Sequence, residues 1–180
     1  MNSIPSAAGW ISRLVCARIR QAGIQLGPLL LKAGLTIEQI DHRNTRLKVQ
    51  SQIRFLDLAA DALQDDFLGF RLARNFDLRE IGLLYYVVAS SEVLADALHK
   101  AERYSGIVNE GISLRVRPAQ ETAIALSYVN VERRSDHHQV EFWLTSLVRR
   151  RRLSALIRSI AGKGWMDWQF QRGKLGQNEC

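Results

Sequence analysis

The chain has little cysteine. Its 180 residues include two, Cys16 and Cys180, far apart and in neither a metal-type nor a redox-type pair, which excludes a disulfide-stapled scaffold and a cysteine-based zinc module. Cys16 sits among apolar neighbours and reads as a small core residue, while Cys180 is terminal and expected to be exposed. A disulfide between them is not expected in a reducing compartment. No apolar run is long enough to span a bilayer. The first ten residues lack a basic segment followed by an apolar one, so they do not read as a signal peptide. The expectation is a cytoplasmic protein that does not enter a membrane. Enzyme signatures are also missing: there is no G-x-S-x-G, no P-loop, no His-Glu-x-x-His and no cysteines at zinc spacing. No catalytic residue, metal site or cofactor is expected. Internal repeats, low-complexity segments and linkers are absent too.

What is present suits one globular domain: 47% of the residues are hydrophobic, enough for a core at this length. Formal net charge is +7. The excess lies toward the C-terminus, where Arg133, Arg134, Arg149 to Arg152, Arg158, Lys163, Arg172 and Lys174 face only Asp136, Glu141 and Asp167. Such a run reads as a solvated basic face or, alternatively, as a nucleic-acid contact.

Periodicity predicts a mostly helical α+β domain. Trp10 to Ala22 has a helical stripe through Ile11, Leu14, Val15 and Ile19, ended by Gly23. Pro28 suits the first turn of a short helix through Ala33, closed by Gly34. Thr36 caps another short turn through Ile40, and residues 41–48 read as a loop. Ser51 to Gln64 carries a stripe of Ile53, Leu56, Ala59, Ala60 and Leu63, with Gln52, Arg54, Asp57 and Asp61 off it. Asp65-Asp66 can cap the helix Phe67 to Phe76, expected to pair antiparallel with the one before. Ile81 to Ala89, apolar on every side, reads as a buried helix in preference to a buried strand. Ser90 or Ser91 then caps an amphipathic helix through Leu94, Leu98, Ala101, Tyr104 and Val108 that ends at Gly111. The period changes to two at Ile112, Leu114 and Val116 and again at Ile124, Leu126 and Tyr128, which predicts a β-hairpin across residues 118–121. Asp136 and Gln139 have capping-box spacing for a long C-terminal helix over 137–161. The expected fold is therefore a helical domain with a small antiparallel sheet before that helix.

Four aromatic residues, Tyr85, Tyr86, Tyr104 and Trp143, combine apolar walls with polar handles and are candidates to line a pocket, although aromatic residues at helical spacing also serve as plain core. Arg149 to Arg152 point in nearly every direction on a helix, and Arg151 falls on or beside the stripe through Leu144 and Leu147. It is read as exposed, as paired internally with Glu110 or Glu141, or as the holder of a ligand carboxylate. His137 and His138 are adjacent, and neighbouring helical side chains diverge by about 100 degrees. They read as solvent-facing residues, not as paired metal ligands.

Several segments carry a family resemblance: Leu26 to Leu35, Leu68-Gly-Phe-Arg-Leu-Ala73, Gly82-Leu-Leu-Tyr-Tyr86, Ser90-Ser91, Ala97-Leu98, Arg103-Tyr104-Ser105 and His138-Gln-Val-Glu-Phe142, with 76–111 as the central stretch. In order and spacing they resemble the N-terminal effector-sensing domain of AraC/XylS-type transcriptional regulators. The resemblance implies a cytoplasmic bacterial sensor that binds a small molecule, forms a homodimer and controls transcription; it does not identify the ligand, for which the Arg151 reading offers a carboxylate. Such regulators reach DNA through two helix-turn-helix units that follow the sensor. Only about fifteen residues follow Trp165 here, too few for two such units. The expectation is a sensing and dimerisation domain over 1–164 with a truncated or frayed tail over 165–180, contacting DNA only through a domain this chain lacks. The alternative is a truncated interaction protein that pairs with a full-length regulator.

Overall fold

The computed structural model describes residues 4–117, 123–129, 131 and 136–148. Their order is β1 (Ser6–Ala8), α1 (Trp10–Gln21), α2 (Leu26–Ala33), α3 (Ile37–Asp41), β2 (Arg46–Lys48), α4 (Val49–Leu63), α5 (Leu68–Asn75), a 3-10 turn (Leu78–Ile81), α6 (Leu83–Ala89), α7 (Leu94–Val108), β3 (Ile112–Arg117), β4 (Ala123–Tyr128) and α8 (His137–Val148). The α+β expectation holds: helices dominate, with two small antiparallel sheets. Among the described residues no helix is long and apolar enough to cross a membrane.

The first helices follow their local signals. Gly34 takes the left-handed conformation (φ 72°) that closes α2, bonding back to Leu31. Thr36 caps α3 by accepting from the Gln39 N–H at 3.3 Å, and the Gln39 side chain returns the bond to the Thr36 N–H at 3.0 Å. In the hairpin, Ile112 faces Tyr128 and Arg117 faces Ala123; the loop at 118–122 is outside the described residues. So is everything beyond Val148, including the second half of the expected helix, the arginine run and the tail.

Residues 41–48 are not all loop. Arg46–Lys48 pairs antiparallel with Ser6–Ala8. A strand this short carries a single buried side chain, Leu47, and leaves no alternation to read. Arg46 holds the ribbon in place. Its guanidinium donates to Ser6 Oγ at 2.7 Å and to the Ser6 carbonyl at 2.9 Å. It also donates to the carbonyl of Ile107 in the last turn of α7 at 2.9 Å, a favourable place for a cation. Glu110 completes the cluster by accepting from Ser6 N–H (2.9 Å) and Oγ (2.8 Å), beside Arg46 at 3.5 Å. These partners hold its carboxyl below the usual range, the Ser6 N–H most of all.

Four local expectations are corrected. α6 is a helix but not a buried one: Leu84 alone is fully buried, while Leu83 is 63% and Tyr86 59% exposed. It packs on α7 and the 3-10 turn, with Leu83 and Tyr86 facing outward. Neither Ser90 nor Ser91 caps α7, which begins after an extended Val93; Ser90 Oγ instead bonds back to the Val87 carbonyl at 2.9 Å. α7 ends at Val108, before Gly111, because Asn109 turns extended and bridges to Ala7. α5 takes α8 as its main neighbour in place of α4.

The core gathers around α1, α4, α5 and α8, with Ile11, Val15, Ile19, Phe55, Leu56, Leu68 and Phe142 fully enclosed. Cys16 belongs to it; burial pushes its thiol up to about 11, which makes it a poor nucleophile at neutral pH.

Candidate functional site

The α1–α8 contact is aromatic. The Trp10 ring stacks on Phe76 with centroids 4.8 Å apart, meets Phe142 at 5.2 Å and meets Trp143 edge-on at 5.7 Å; Phe76 and Phe142 are 5.5 Å apart. Both indole N–H groups, of Trp10 and Trp143, are buried without an acceptor among the described residues, and so is the hydroxyl of Ser146, one turn beyond Trp143 on α8. One turn beyond Trp10 on α1, the Arg13 guanidinium folds back over Gly9, and Nη1 also lacks a partner among the described residues. Burial pulls the Arg13 pKa down, and the nearby charge of Arg43 adds to that. Each unsatisfied buried donor costs about 1–3 kcal/mol, which an acceptor within reach of either indole would remove.

A polar ladder crosses the core nearby. Ser12 Oγ donates to Gln52 Oε1 at 3.4 Å, Gln52 Nε2 to Gln139 Oε1 at 3.1 Å, and Gln139 Nε2 to Tyr128 OH at 3.2 Å. It joins α1, α4, α8 and β4. Gln52, expected off the apolar stripe, is 1% exposed, because Gln139 and Ser12 satisfy its amide. Gln139 consequently turns its side chain inward and not toward a capping box.

The first turn of α8 lies against α4 and α5. His138, expected in solvent, is 3% exposed. Burial, with the charge of His137 second, pushes its imidazole down to about 4, so it is neutral at pH 7. Its Nδ1 lies 3.6 Å from Glu141 Oε2 with no hydrogen bond to either atom. Burial raises the Glu141 carboxyl above its ordinary range, and Asp65 adds to the rise. The two histidines do not diverge: their ring centroids are 3.7 Å apart. At the very start of a helix the first side chain can fold over the second. With Asp57 of α4 they place three ligand-type atoms within 4.8 Å of one another.

The residues singled out in the sequence are spread across these regions. Trp143 is buried in the aromatic cluster. Tyr104 is half-buried against the same core, with the Arg103 guanidinium 5.5 Å over its ring. Tyr85 and Tyr86 meet edge-on at 5.3 Å on α6, Tyr86 on the outer side. Arg151 lies outside the described residues. Of its two suggested acidic partners, Glu110 is occupied by Ser6 and Arg46. Sequence reasoning missed Trp10, Arg13, Ser146 and Phe76. The spacing of Trp10 and Arg13 was a visible signal, but their meeting with α8 is long-range.

The family model described as the arabinose-binding domain of AraC transcription regulator, N-term, matches residues 23–159. No individually curated protein matches the chain.

Proposed function

The chain belongs to the family of N-terminal arabinose-binding domains of AraC transcription regulators, a ligand-sensing regulatory domain and not an enzyme family, and on that premise we propose that it binds a small-molecule effector, dimerises and controls transcription. The observation that carries this reading is that the buried indole N–H groups of Trp10 and Trp143, on touching rings, have no acceptor among the described residues. Flat apolar walls with two fixed donors suit a small molecule bearing hydroxyl or carboxylate oxygens. Tyr85, Tyr104 and Arg151 are proposed as further contacts, Arg151 for a ligand carboxylate.

The test is a thermal-shift scan of the chain against sugars, amino acids, fatty acids and aromatic acids, repeated on Trp143→Phe. That substitution keeps an aromatic ring and removes the donor. A stabilising ligand is expected to lose most of its shift on Trp143→Phe while the unliganded melting temperature changes little. A full-sized shift on both Trp143→Phe and Trp10→Phe would place the ligand elsewhere.

The exposed apolar face of α6 favours a pairing role beside sensing. Leu83 and Tyr86, three residues apart, stand on one side of the helix. A second copy of the chain is the proposed occupant. Leu83→Glu is expected to convert a dimer to a monomer in sedimentation velocity; a dimer that survives it would move the interface off α6.

A further inference from the structure

The family reading leaves the first turn of α8 unexplained. Asp57 projects from the middle of α4, and His137 and His138 begin α8. One ligand-type atom from each lies within 4.8 Å of the other two. The burials differ usefully: His138 is enclosed, Asp57 is half-buried and His137 is exposed. Among the described residues the buried Nδ1 of His138 has no hydrogen-bond partner, and the Glu141 carboxylate stands 3.6 Å behind it. Drawn in to hydrogen-bond distance, that carboxylate would accept from the Nδ1–H and fix the ring, as outer-shell carboxylates do in metal sites. The surrounding charge suits a cation. Asp61, Asp65 and Asp66 all act on His138, and Asp136 precedes the helix. Arg71 neutralises Asp65 in part, at 3.1 Å. The positive end of the α8 dipole opposes a cation here, and the group of carboxylates offsets it.

We propose that Asp57, His137 and His138 form a site for one divalent transition-metal ion of borderline softness, zinc(II) being the type, which ties α4 to the start of α8. Two imidazoles and one carboxylate match the nitrogen and oxygen set such ions take at about 2.0–2.2 Å, and do not suit calcium or magnesium, which prefer all-oxygen shells. Bonds of that length require the three atoms to draw together by about an ångström. His137 is free to make that movement because it is exposed. A fourth position is left for water. The ion would fasten the two helices that already share the Gln52–Gln139 hydrogen bond, and so would hold the α8 end of the aromatic cluster in place. This inference stands on the cluster's geometry, independent of whether Trp10 and Trp143 meet an effector.

The experiment is a titration of the chelator-treated 180-residue chain with zinc chloride in a calorimeter. A parallel cobalt(II) titration is followed by visible absorption. One ion per chain is expected, with a cobalt spectrum of a nitrogen–oxygen site and no thiolate charge-transfer band. His137→Ala changes an exposed side chain and leaves the fold intact, yet it is expected to weaken binding more than about 100-fold, beyond the loss typical of an outer-shell residue. Asp57→Asn should do the same. Cys180→Ser should change nothing. Failure to take up zinc or cobalt, binding unchanged in both ligand variants, or binding that depends on Cys180 would each overturn the proposal. None of these results bears on the effector scan.

Discussion

Phe142→Ala is expected to lower the unfolding free energy by about 3–5 kcal/mol, the range for deleting a fully buried aromatic ring. The ring is 0% exposed. It meets Trp10 at 5.2 Å and Phe76 at 5.5 Å, both tilted, so α1 and the residue that follows α5 both rest on this ring of α8. Aromatic pairs add about 0.5–1.5 kcal/mol each beyond the area they bury. Trp10 has a second ring neighbour in Trp143 and cannot collapse into the hole without giving up that contact. A typical domain has about 5–15 kcal/mol in all, so this single change removes a large share. Urea denaturation followed by far-ultraviolet circular dichroism measures it, and Phe142→Leu should recover much of the loss. A cost under about 1 kcal/mol for the alanine variant would mean that the α1–α8 contact is not the centre of the core.

Gly69→Ala is expected to destabilise by about 1–3 kcal/mol, the usual cost of overpacking, although alanine is the better helix former by about 1 kcal/mol. A Cβ at Gly69 would run into the backbone oxygen of His138 and come within 2.8 Å of Glu141 Cβ and 2.9 Å of its Oε2. Backbone cannot swing aside, so α5 and α8 would have to separate. Gly27 in α2 is the control: among the described residues nothing lies within 4 Å of the corresponding atom. Gly27→Ala should be neutral or stabilising by up to about 1 kcal/mol. Equal effects at the two positions would show that helix propensity, and not the α5–α8 approach, decides the result. A Gly69→Ala variant that separates these helices should also disturb the His138 environment, visible as a shifted imidazole resonance.

The Gly69 contact shows why the centre of the site was only half legible. Leu68-Gly-Phe-Arg-Leu-Ala73 and His138-Gln-Val-Glu-Phe142 both stood out by resemblance, but nothing local joins two segments some seventy residues apart in sequence. Their meeting through a missing side chain is a property of the packed helices. Trp143 was chosen for its chemistry and does lie in the aromatic cluster. Trp10 has the same chemistry and was read only as the start of a helix, because its partners on α8 and after α5 are distant in sequence. Gln52 was placed off the apolar stripe by its polarity. It is buried because a second amide, Gln139, arrives from α8 to satisfy it, and a period-based reading has no means of pairing two polar residues 87 positions apart.

Local chemistry by itself determined the helices up to α5, the Gly34 stop, the Thr36 cap, the hairpin and its two-residue period, and hence the α+β class. These depend on backbone preferences and on hydrogen bonds spanning three or four residues, which are written in adjacent positions. Family membership was legible for the same reason, as an ordered series of short segments. The tertiary structure alone decided that the apolar α6 lies at the surface. It also decided that residues 46–48 pair with the N-terminal strand through Arg46 and that His138 is buried with its ring against His137. Each of these turns on what covers a side chain from elsewhere in the chain. Burial and long-range hydrogen bonds arise only when separate elements meet, so apolarity marks what can be buried and packing selects what is.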